Sequence, residues 1–458
     1  MTLNPSTFET ILPSRFITFT YPSPTLPQTL LRVAVLDSPL TQPSTESPQL
    51  AAMFVPTHRE TDWIFSTQSG HLQLLLNFAQ FSRLILIGYV PISPNLVNSF
   101  TRPECETGHA QLVNLEEKLT PLLFALAPKS CFVKGLPEVV FLRYEDDLIG
   151  SVVVEVCDGG LVGEMVVEDV ELEGFEGREF RRRLRFKRMP NFVQTQVRIF
   201  PKGGRGFVGL EGVEFGLDFG VLVHSYLVPM VAGVSLIGGY LDERIQCGFR
   251  PKALCLGVGG GALLGFLSRN LGFEVIGVEA DEVVLRVARQ YFGLDDCDGL
   301  VRVCLGDAIE FLDEIDSKAK RLNIECLDNR NINGNDAKFD VVMVDLDSSD
   351  VNMGISAPPL EFVQKDVLLA AKRILCDQGI LVINVIPPAA SSFYETLIMK
   401  LKVVFEELYE VDVRNGENFV LIAAASTVGI SSSGTKNVFA SKLKQAISAE
   451  FIDSIKKL

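Results

Sequence analysis

The sequence is poor in the residues that build metal centres and disulfide frameworks. Its 458 residues include only four histidines, which lie without the spacing of metal ligands at positions 58, 71, 109 and 224. The nine cysteines are scattered with no Cys-x-x-Cys pair, as is typical of reduced thiols in an intracellular protein. No hydrophobic run is long enough to cross a bilayer. We therefore expect no metal site, no disulfide framework and no membrane partner.

Basic residues are also scarce. The chain has 42 lysines and arginines against 57 aspartates and glutamates, which gives a formal net charge of −15. Nucleic acids bind to basic surfaces, so this charge argues against a nucleic-acid partner. An acidic enzyme instead favours a basic protein or a cationic small molecule. The sequence leaves the oligomeric state open, including a homo-oligomer.

The N-terminus has neither an early arginine cluster nor a hydrophobic signal core. Its Ser/Thr/Pro-rich composition with few acids is mildly similar to that of a transit peptide. However, Arg15–Tyr21 alternates like a β-strand, and Leu30–Leu36 is predicted to be its partner. We therefore predict folded structure here and a cytoplasmic location.

Residues 1–202 are predicted to form a strand-rich α+β domain, and the Gly-rich residues 203–221 a linker or a set of tight turns. Within the domain, Phe180–Lys187 and Phe192–Phe200 predict a hairpin. Four cations share one face of its first strand, because alternate residues of a strand point the same way: Arg181, Arg183, Arg185 and Lys187. We interpret this face as solvated; the alternative is a contact for an acidic segment of a partner.

The rest of the chain is organised around Ala253–Glu279, which predicts a strand, a Gly loop, a helix and a second strand that ends in an acid. Glycines let the backbone turn sharply and approach a ligand, and a helix N-terminus presents free N–H groups. Glu279 follows the first loop glycine by about twenty residues, where a carboxylate accepts hydrogen bonds from a ribose diol.

Residues 222–426 continue in an alternating β/α pattern, which predicts a doubly wound, seven-stranded, Rossmann-like sheet. Asp307 and Asp345 also lie at predicted strand ends, where ligands of such sheets bind. A dinucleotide oxidoreductase and an S-adenosylmethionine (SAM) transferase share the Gly loop and its acid. Asp307 favours the SAM enzyme because it suits an adenine amino group. Residues 427–458 predict a linker and a C-terminal helix that docks on the core.

Several motifs carry a family resemblance: LGVGGG (256–261), VEADEVVLRVARQYFG (278–293), DVVMVDLDSSD (340–350) and, upstream, VPTHRETDWIFSTQSG (55–70) and VVEDVELEGFEGREFRRRLRF (166–186). The region from His224 to about Ala425 resembles a class I SAM-dependent methyltransferase of the spermidine-synthase branch. Over most of its length the chain is similar to the second catalytic half of the methyltransferase-like protein 13 family. That half methylates the α-amino group of translation elongation factor 1-alpha. The lysine activity of the family's first half is not expected here.

The resemblance implies roles for individual residues. The methionine part of SAM would be approached by Gly257, Gly259 and Gly261, its ribose held by Glu279 with Ala280, and its adenine by Asp307 with Ala308. The sulfonium and the incoming amine would face Asp345 and Asp347, and Tyr226, Ser348 and Asp350 would contact the substrate. For Asp347 and Asp350 loop capping is an equal alternative, and for Tyr226 a core position is the simpler one.

The leading hypothesis is therefore a SAM-dependent protein methyltransferase that acts on the N-terminal amine of elongation factor 1-alpha. An aminopropyltransferase that uses decarboxylated SAM and a polyamine is the first alternative, because Ser348-Ser-Asp350 resembles the loop of spermidine synthases. Two residues inserted between Asp345 and this loop argue against an aminopropyltransferase, and so does the Gly loop (VGGGAL, 258–263), which does not match that of spermidine synthases. A non-catalytic SAM-binding scaffold is the second alternative.

Overall fold

The computed structural model of the protein describes residues 5–26, 28–40, 48–78, 80–91, 98–103, 109–133, 135–174, 177–203, 209–296, 299–325, 338–347, 357–387, 392–416, 418–428 and 437–458. Two predicted site residues, Ser348 and Asp350, lie outside them. In the described residues, no helix combines the length and the apolar character needed to cross a membrane.

The N-terminal half is built from two sheets. Its strands are β1 (Phe16–Pro22), β2 (Leu30–Asp37), β3 (Leu50–Phe54), β4 (Arg83–Tyr89), β5 (Ser99–Thr101), β6 (Val139–Leu142), β7 (Leu148–Gly159), β8 (Gly163–Gly174), β9 (Gly177–Phe186), β10 (Val193–Pro201) and β11 (Phe215–Asp218). Its helices are α1 (Trp63–Ser66), α2 (Gln68–Leu76) and α3 (His109–Ala125). The first sheet has the order β1-β2-β4-β3-β6, and the second, antiparallel sheet has the order β11-β10-β9-β8-β7-β5.

The first sheet lies between helices. Apolar residues of α1 and α2, among them Phe65 and Leu75, pack on one face, and Leu119 and Leu123 of α3 pack on the other. The predicted pairing of β1 with β2 is confirmed as antiparallel. This half therefore has its own hydrophobic core.

The second sheet contains the predicted hairpin, now β9 and β10. The segment predicted to be a linker or a set of turns contributes β11, which pairs with β10. The prediction of a solvated cationic face on β9 is wrong at its centre. Arg185 is only 6% exposed, because this face turns towards α1, and its guanidinium pairs with Glu168 and with Asp62.

The C-terminal half forms the third sheet. Its strands are β12 (Lys252–Leu256), β13 (Glu274–Glu279), β14 (Val301–Leu305), β15 (Phe339–Val344), β16 (Leu375–Val385), β17 (Glu407–Asp412), β18 (Phe419–Ala424) and β19 (Lys456–Lys457). Its helices are α4 (Leu227–Ala232), α5 (Gly238–Gln246), α6 (Ala262–Phe266), α7 (Glu282–Phe292), α8 (Ala308–Glu325), α9 (Lys365–Arg373), α10 (Phe393–Val404), α11 (Val438–Ala446) and α12 (Ala449–Asp453).

The strand order of this sheet is β14-β13-β12-β15-β16-β18-β17-β19. The first five strands are parallel, and β18 is inserted antiparallel between β16 and β17. Buried apolar side chains cover both faces, so the doubly wound sheet predicted from the sequence is confirmed. The short strand β19 adds an eighth strand to the seven predicted.

Two local predictions fail. The sequence predicts a helix through Leu375, but β16 already begins at this residue. The sequence also predicts one C-terminal helix, whereas the chain forms α11 and α12 with a break at Ile447 and Ser448, where the Ser448 hydroxyl caps α12. The predicted docking is confirmed, since Phe439, Leu443 and Ile447 are buried in the core.

The second sheet also packs directly against α7. Met165, Val167 and Leu184 contact Val284 and Val287 of this helix in one apolar cluster. A carboxylate oxygen of Asp281, at the helix N-terminus, accepts hydrogen bonds from the backbone N–H groups of the β7–β8 turn at 2.7 and 3.1 Å. These contacts place the second sheet over the carboxyl ends of the parallel strands.

Candidate active site

A cavity of about 550 Å³ lies at the carboxyl ends of β12, β13, β14 and β15. Nine predicted site residues line it: Tyr226, Gly257, Gly259, Glu279, Ala280, Asp307, Ala308, Asp345 and Asp347. Gly261 does not line it. Gly261 has a φ of 81° before α6, and a Cβ atom there would lie 2.6 Å from Leu294, so this glycine serves the turn and its packing.

The first loop glycine is required by a neighbouring strand. Gly257 has a φ of 86°, and a Cβ atom at this position would lie 2.2 Å from the carbonyl oxygen of Asp345. The absence of a side chain at Gly257 therefore lets the Gly loop and the end of β15 approach each other. This contact brings the acid at the end of β15 to the loop.

Gly260 packs against β10 of the second sheet, and this contact can be tested. A Cβ atom at Gly260 would lie 2.3 Å from Cγ2 of the buried Thr195 on β10. We expect Gly260→Ala to lower the free energy of unfolding by about 1–3 kcal/mol, measured by chemical denaturation. Gly160→Ala, at a position with open space, is the matched control. Thr195→Ser removes Cγ2, so the double variant should recover part of the loss; strictly additive losses would contradict the contact.

Glu279 ends β13 beside the Gly loop. Its Oε2 accepts weak hydrogen bonds from the backbone N–H groups of Val258 and Gly259, both at 3.3 Å, and its Oε1 accepts one from Asp281 at 3.1 Å. Burial raises the pKa of Glu279, and these hydrogen bonds oppose the rise. The carboxylate is thus fixed at the cavity wall.

Asp307 lies at the end of the third parallel strand and also caps α8. Its Oδ1 accepts hydrogen bonds from the backbone N–H groups of Ile309 at 2.8 Å and of Glu310 at 3.0 Å. Both of these cap bonds use Oδ1, and Asp307 also lines the cavity.

Asp345 has the most developed set of contacts in the cavity. The Tyr226 hydroxyl donates a hydrogen bond to Oδ2 at 3.0 Å, and the Asn384 amide donates one to Oδ1 at 3.0 Å. The Asn418 amide in turn holds Asn384 by donating to its Oδ1 at 2.9 Å. Burial raises the pKa of Asp345 to about 6, the two donors lower it, and the nearby charge of Asp347 raises it.

Tyr226 keeps its proton in this arrangement. Burial and the adjacent Asp345 carboxylate raise its pKa well above the ordinary value, so its hydroxyl remains a donor at neutral pH. His224 lines the same cavity, and burial lowers its pKa to about 4, which leaves a neutral imidazole. With its pKa of about 6, the Asp345 carboxyl is therefore a group of this cavity that changes charge close to neutral pH.

Asp347 faces a residue of the N-terminal half. Its Oδ2 lies 3.8 Å from Nη2 of Arg188, in the β9–β10 turn. Burial raises the pKa of Asp347, and the Arg188 guanidinium opposes this rise. Phe192, Gln194 and Thr195 from the same hairpin also line the cavity.

Sequence reasoning did not find Arg188, Gln194 or Asn384. Arg188 and Gln194 precede the parallel sheet in the chain and carry no local motif that points to a ligand. Asn384 lies in Ile380–Val385, which the sequence predicts only as the fifth strand of the sheet. Asn384 is the one polar residue at the carboxyl end of β16, and this position was the available signal.

Three features together define a class I methyltransferase fold. The antiparallel β18 is inserted between β16 and β17, a Gly loop follows β12, and acids follow β13, β14 and β15. The N-terminal α+β half precedes it.

Comparison with known proteins agrees with this class. No family model matches the chain. The eEF1A lysine and N-terminal methyltransferase of Danio rerio is 26% identical over 412 residues, which cover 86% of this chain and 54% of that protein. The Homo sapiens protein of the same name is 26% identical over 412 residues, which cover 84% of this chain and 52% of that protein. The family resemblance predicted from the sequence is confirmed.

The chain spans about half the length of the curated relatives it matches. The crystal structure of human methyltransferase-like protein 13 in complex with SAH is 24% identical, with a TM-score of 0.39, and the match covers 49% of this chain and 92% of that chain.

Proposed function

We propose that this protein transfers a methyl group from SAM to an amino group, the N-terminal α-amine of translation elongation factor 1-alpha. The observation that carries the proposal is Asp345. Its carboxylate is oriented by Tyr226 and Asn384, and it lies in the same cavity as the Gly loop and Glu279. The similarity to the eEF1A methyltransferases supports the choice of substrate.

The cavity fits SAM in its size and in the chemistry of its lining. Gly257 and Gly259 leave backbone atoms open to the cavity, and three carboxyl groups line it near positions that a ribose diol, an adenine amino group and a cationic sulfonium require: Glu279, Asp307 and Asp345. In the proposal, Ala280 and Ala308 complete the ribose and adenine contacts. When bound, SAM supplies an electrophilic methyl group.

The residues of the chain act on the amine. An ammonium has no free lone pair, so the substrate amine must lose its proton before it attacks. Asp345 accepts a hydrogen bond from the neutral amine and takes the proton that the nitrogen releases after the attack, and Tyr226 and Asn384 hold the carboxylate in place. Asp347 adds negative potential for the cation that forms. Holding the amine in line supplies much of the rate.

Mass mapping after incubation with labelled SAM tests the function. We expect label on the N-terminal peptide of purified elongation factor 1-alpha with a free N-terminus, and none after chemical blocking of that amine. Turnover of putrescine with decarboxylated SAM, without label on the protein, would establish the aminopropyltransferase instead. Binding of SAM with no transfer to either acceptor would indicate a scaffold.

The pH dependence of kcat/KM follows from the same site. Below pH 6 both Asp345, with its pKa of about 6, and an α-amine of pKa about 8 must lose a proton. We therefore expect a plot of log kcat/KM against pH to have a slope of about 2 below pH 6 and about 1 from pH 6 to 8. In Asp345→Asn the residual activity should keep a slope of about 1. A slope of about 1 in the unaltered protein would contradict a role for ionised Asp345.

The location and organisation belong to the same proposal. The thiols of the described residues are unpaired, as suits the reducing cytoplasm in which we place the activity. We assign residues 1–202 to the N-terminal domain, 203–221 to the connection, 222–426 to the methyltransferase domain and 427–458 to the C-terminal segment. Substrate contacts by Tyr226, Ser348 and Asp350 remain part of the proposal.

A further inference from the structure

A second cavity, of about 140 Å³, lies in the N-terminal half between the second sheet and the segment that leads into α1. Its volume equals about four to five water molecules at liquid density. Three arginines and three acids line it: Arg59, Arg183, Arg185, Asp62, Asp146 and Glu168. The two upstream stretches that carry the family resemblance supply five of these six residues, and the catalytic proposal uses none of them.

Two of the arginines are already paired with the three acids. Arg59 donates to Asp62 at 2.8 Å and also bonds Asp146. Arg185 donates to both oxygens of Glu168, at 2.8 and 3.2 Å, and to Asp62 at 3.1 Å. The guanidinium pairs hold the pKa of Asp62 well below its usual range. Each acid of the cavity therefore has at least one arginine partner.

Arg183 is the third arginine of the cavity, and it takes no part in these ion pairs. Its Nε and Nη2 atoms are buried, and neither has a hydrogen-bond partner among the described residues. These two atoms form one edge of the guanidinium, and neighbouring arginines use this same edge to bind a carboxylate. Arg182 binds Asp169 through it at 2.7 and 2.8 Å, and Arg185 binds Glu168 through it.

The register of the sheet explains why the Arg183 edge is free. Glu168 of β8 lies directly opposite Arg183 of β9, but both of its carboxylate oxygens bond Arg185. Burial lowers the pKa of Arg183, and the nearby charges of Glu168 and Asp146 oppose this change. Buried N–H donors without an acceptor are costly to the fold, since their desolvation is uncompensated. Nε of Arg59, in the same cavity, also lacks a partner among the described residues.

We propose that this cavity binds a small oxyanion, a phosphate or a carboxylate, on the free edge of Arg183. The Nε and Nη2 donors match two oxygens of such an anion in parallel hydrogen bonds, as guanidinium groups commonly do. Nε of Arg59 supplies a further donor. The ligand is thus defined by its charge and its paired oxygens, and the volume limits it to a few heavy atoms.

The cavity shares a wall with the catalytic cavity. Three residues of the β9–β10 turn and the start of β10 line the anion cavity: Pro190, Asn191 and Val193. Their neighbours line the catalytic cavity: Arg188, Phe192 and Gln194. A bound oxyanion would therefore lie behind the turn that carries Arg188 to Asp347.

Thermal unfolding and calorimetry of the full chain test this inference without any assay of methyl transfer. Inorganic phosphate and acetate are titrated separately, against sodium chloride at the same ionic strength. We expect at least one of them to raise Tm saturably, because a ligand that binds the folded state stabilises it. Arg183→Gln should lose this rise, while its Tm without anion should exceed that of the unaltered protein because the buried Nε and Nη2 donors without an acceptor are gone. The control Arg178→Gln, on the exposed part of the same strand, should keep the rise.

The outcomes separate the two oxyanions and the possible failures. Response to phosphate alone or to acetate alone identifies the class of anion. No saturable response to either, or an equal response in Arg183→Gln, overturns the proposal. If Arg183→Gln does not fold, Arg183→Lys keeps the charge without the paired donors and should weaken binding by about tenfold; unchanged affinity would then overturn it.

Discussion

Replacing Asp345 with Asn is expected to lower kcat for methyl transfer by about 100- to 10,000-fold, the usual contribution of a positioned acid or base. Asn keeps the shape of the side chain but cannot take a proton from the amine, and its NH2 group opposes one of the two donors that now hold the carboxylate. Single-turnover kinetics with saturating SAM measure the loss. Affinity for S-adenosylhomocysteine, which lacks the sulfonium charge, should stay the same.

Asp377→Asn is the control for this loss, because Asp377 lies on the surface with its side chain 86% exposed and the exchange is chemically identical. Tyr226→Phe should give an intermediate loss, since it removes one donor and leaves the carboxylate. Wild-type turnover in Asp345→Asn would remove the proposed base. If Asp345→Asn lowered the turnover and the affinity for S-adenosylhomocysteine by the same factor, Asp345 would be assigned to cofactor binding alone.

Replacing Glu279 with Ala is expected to weaken SAM binding by about ten- to hundredfold, because a hydrogen bond to a charged group contributes about 1.5–3 kcal/mol. The proposed ribose diol would lose its acceptor at the end of β13. Isothermal titration calorimetry measures the affinity directly and does not depend on the protein substrate.

The same variant also removes acceptors for backbone N–H groups of the Gly loop, so stability must be measured beside affinity. Glu279→Gln keeps an acceptor oxygen for the loop and should fold like the unaltered protein while binding SAM less tightly. Glu282→Ala, three residues later and exposed on α7, is the matched control. An unchanged SAM affinity in Glu279→Ala would place the ribose elsewhere.

The third sheet and most of the acids that line its cavity could be predicted because their signals are local. Short apolar strands alternate with amphipathic helices, and each strand end carries its own acid, as at Glu279, Asp307 and Asp345. The sequence also predicts a helix over Glu282–Phe292, the observed bounds of α7, because Val283, Val287 and Tyr291 share one face at helical spacing.

The remainder depends on contacts between distant parts of the chain. The stripe on β9 has the alternation of a solvated strand, and only the approach of Asp62 buries Arg185. Likewise Gly261 is expected from the sequence to approach the cofactor, whereas in the structure Leu294 occupies the space beside it. The sequence pattern around a residue indicates the secondary structure to which that residue belongs. The burial and the contacts of these positions depend instead on the distant element that packs against them.

The packing of the second sheet on α7 has a consequence for synthesis on the ribosome. Leu161 donates its backbone N–H to Asp281 across 120 residues of sequence. At about 5–20 residues per second, α7 emerges on the order of 6–24 s after the β7–β8 turn. During that interval the apolar face around Met165, Val167 and Leu184 has no helix to cover it. The second sheet of the nascent chain is therefore exposed to aggregation through this hydrophobic face until the C-terminal half has been synthesised.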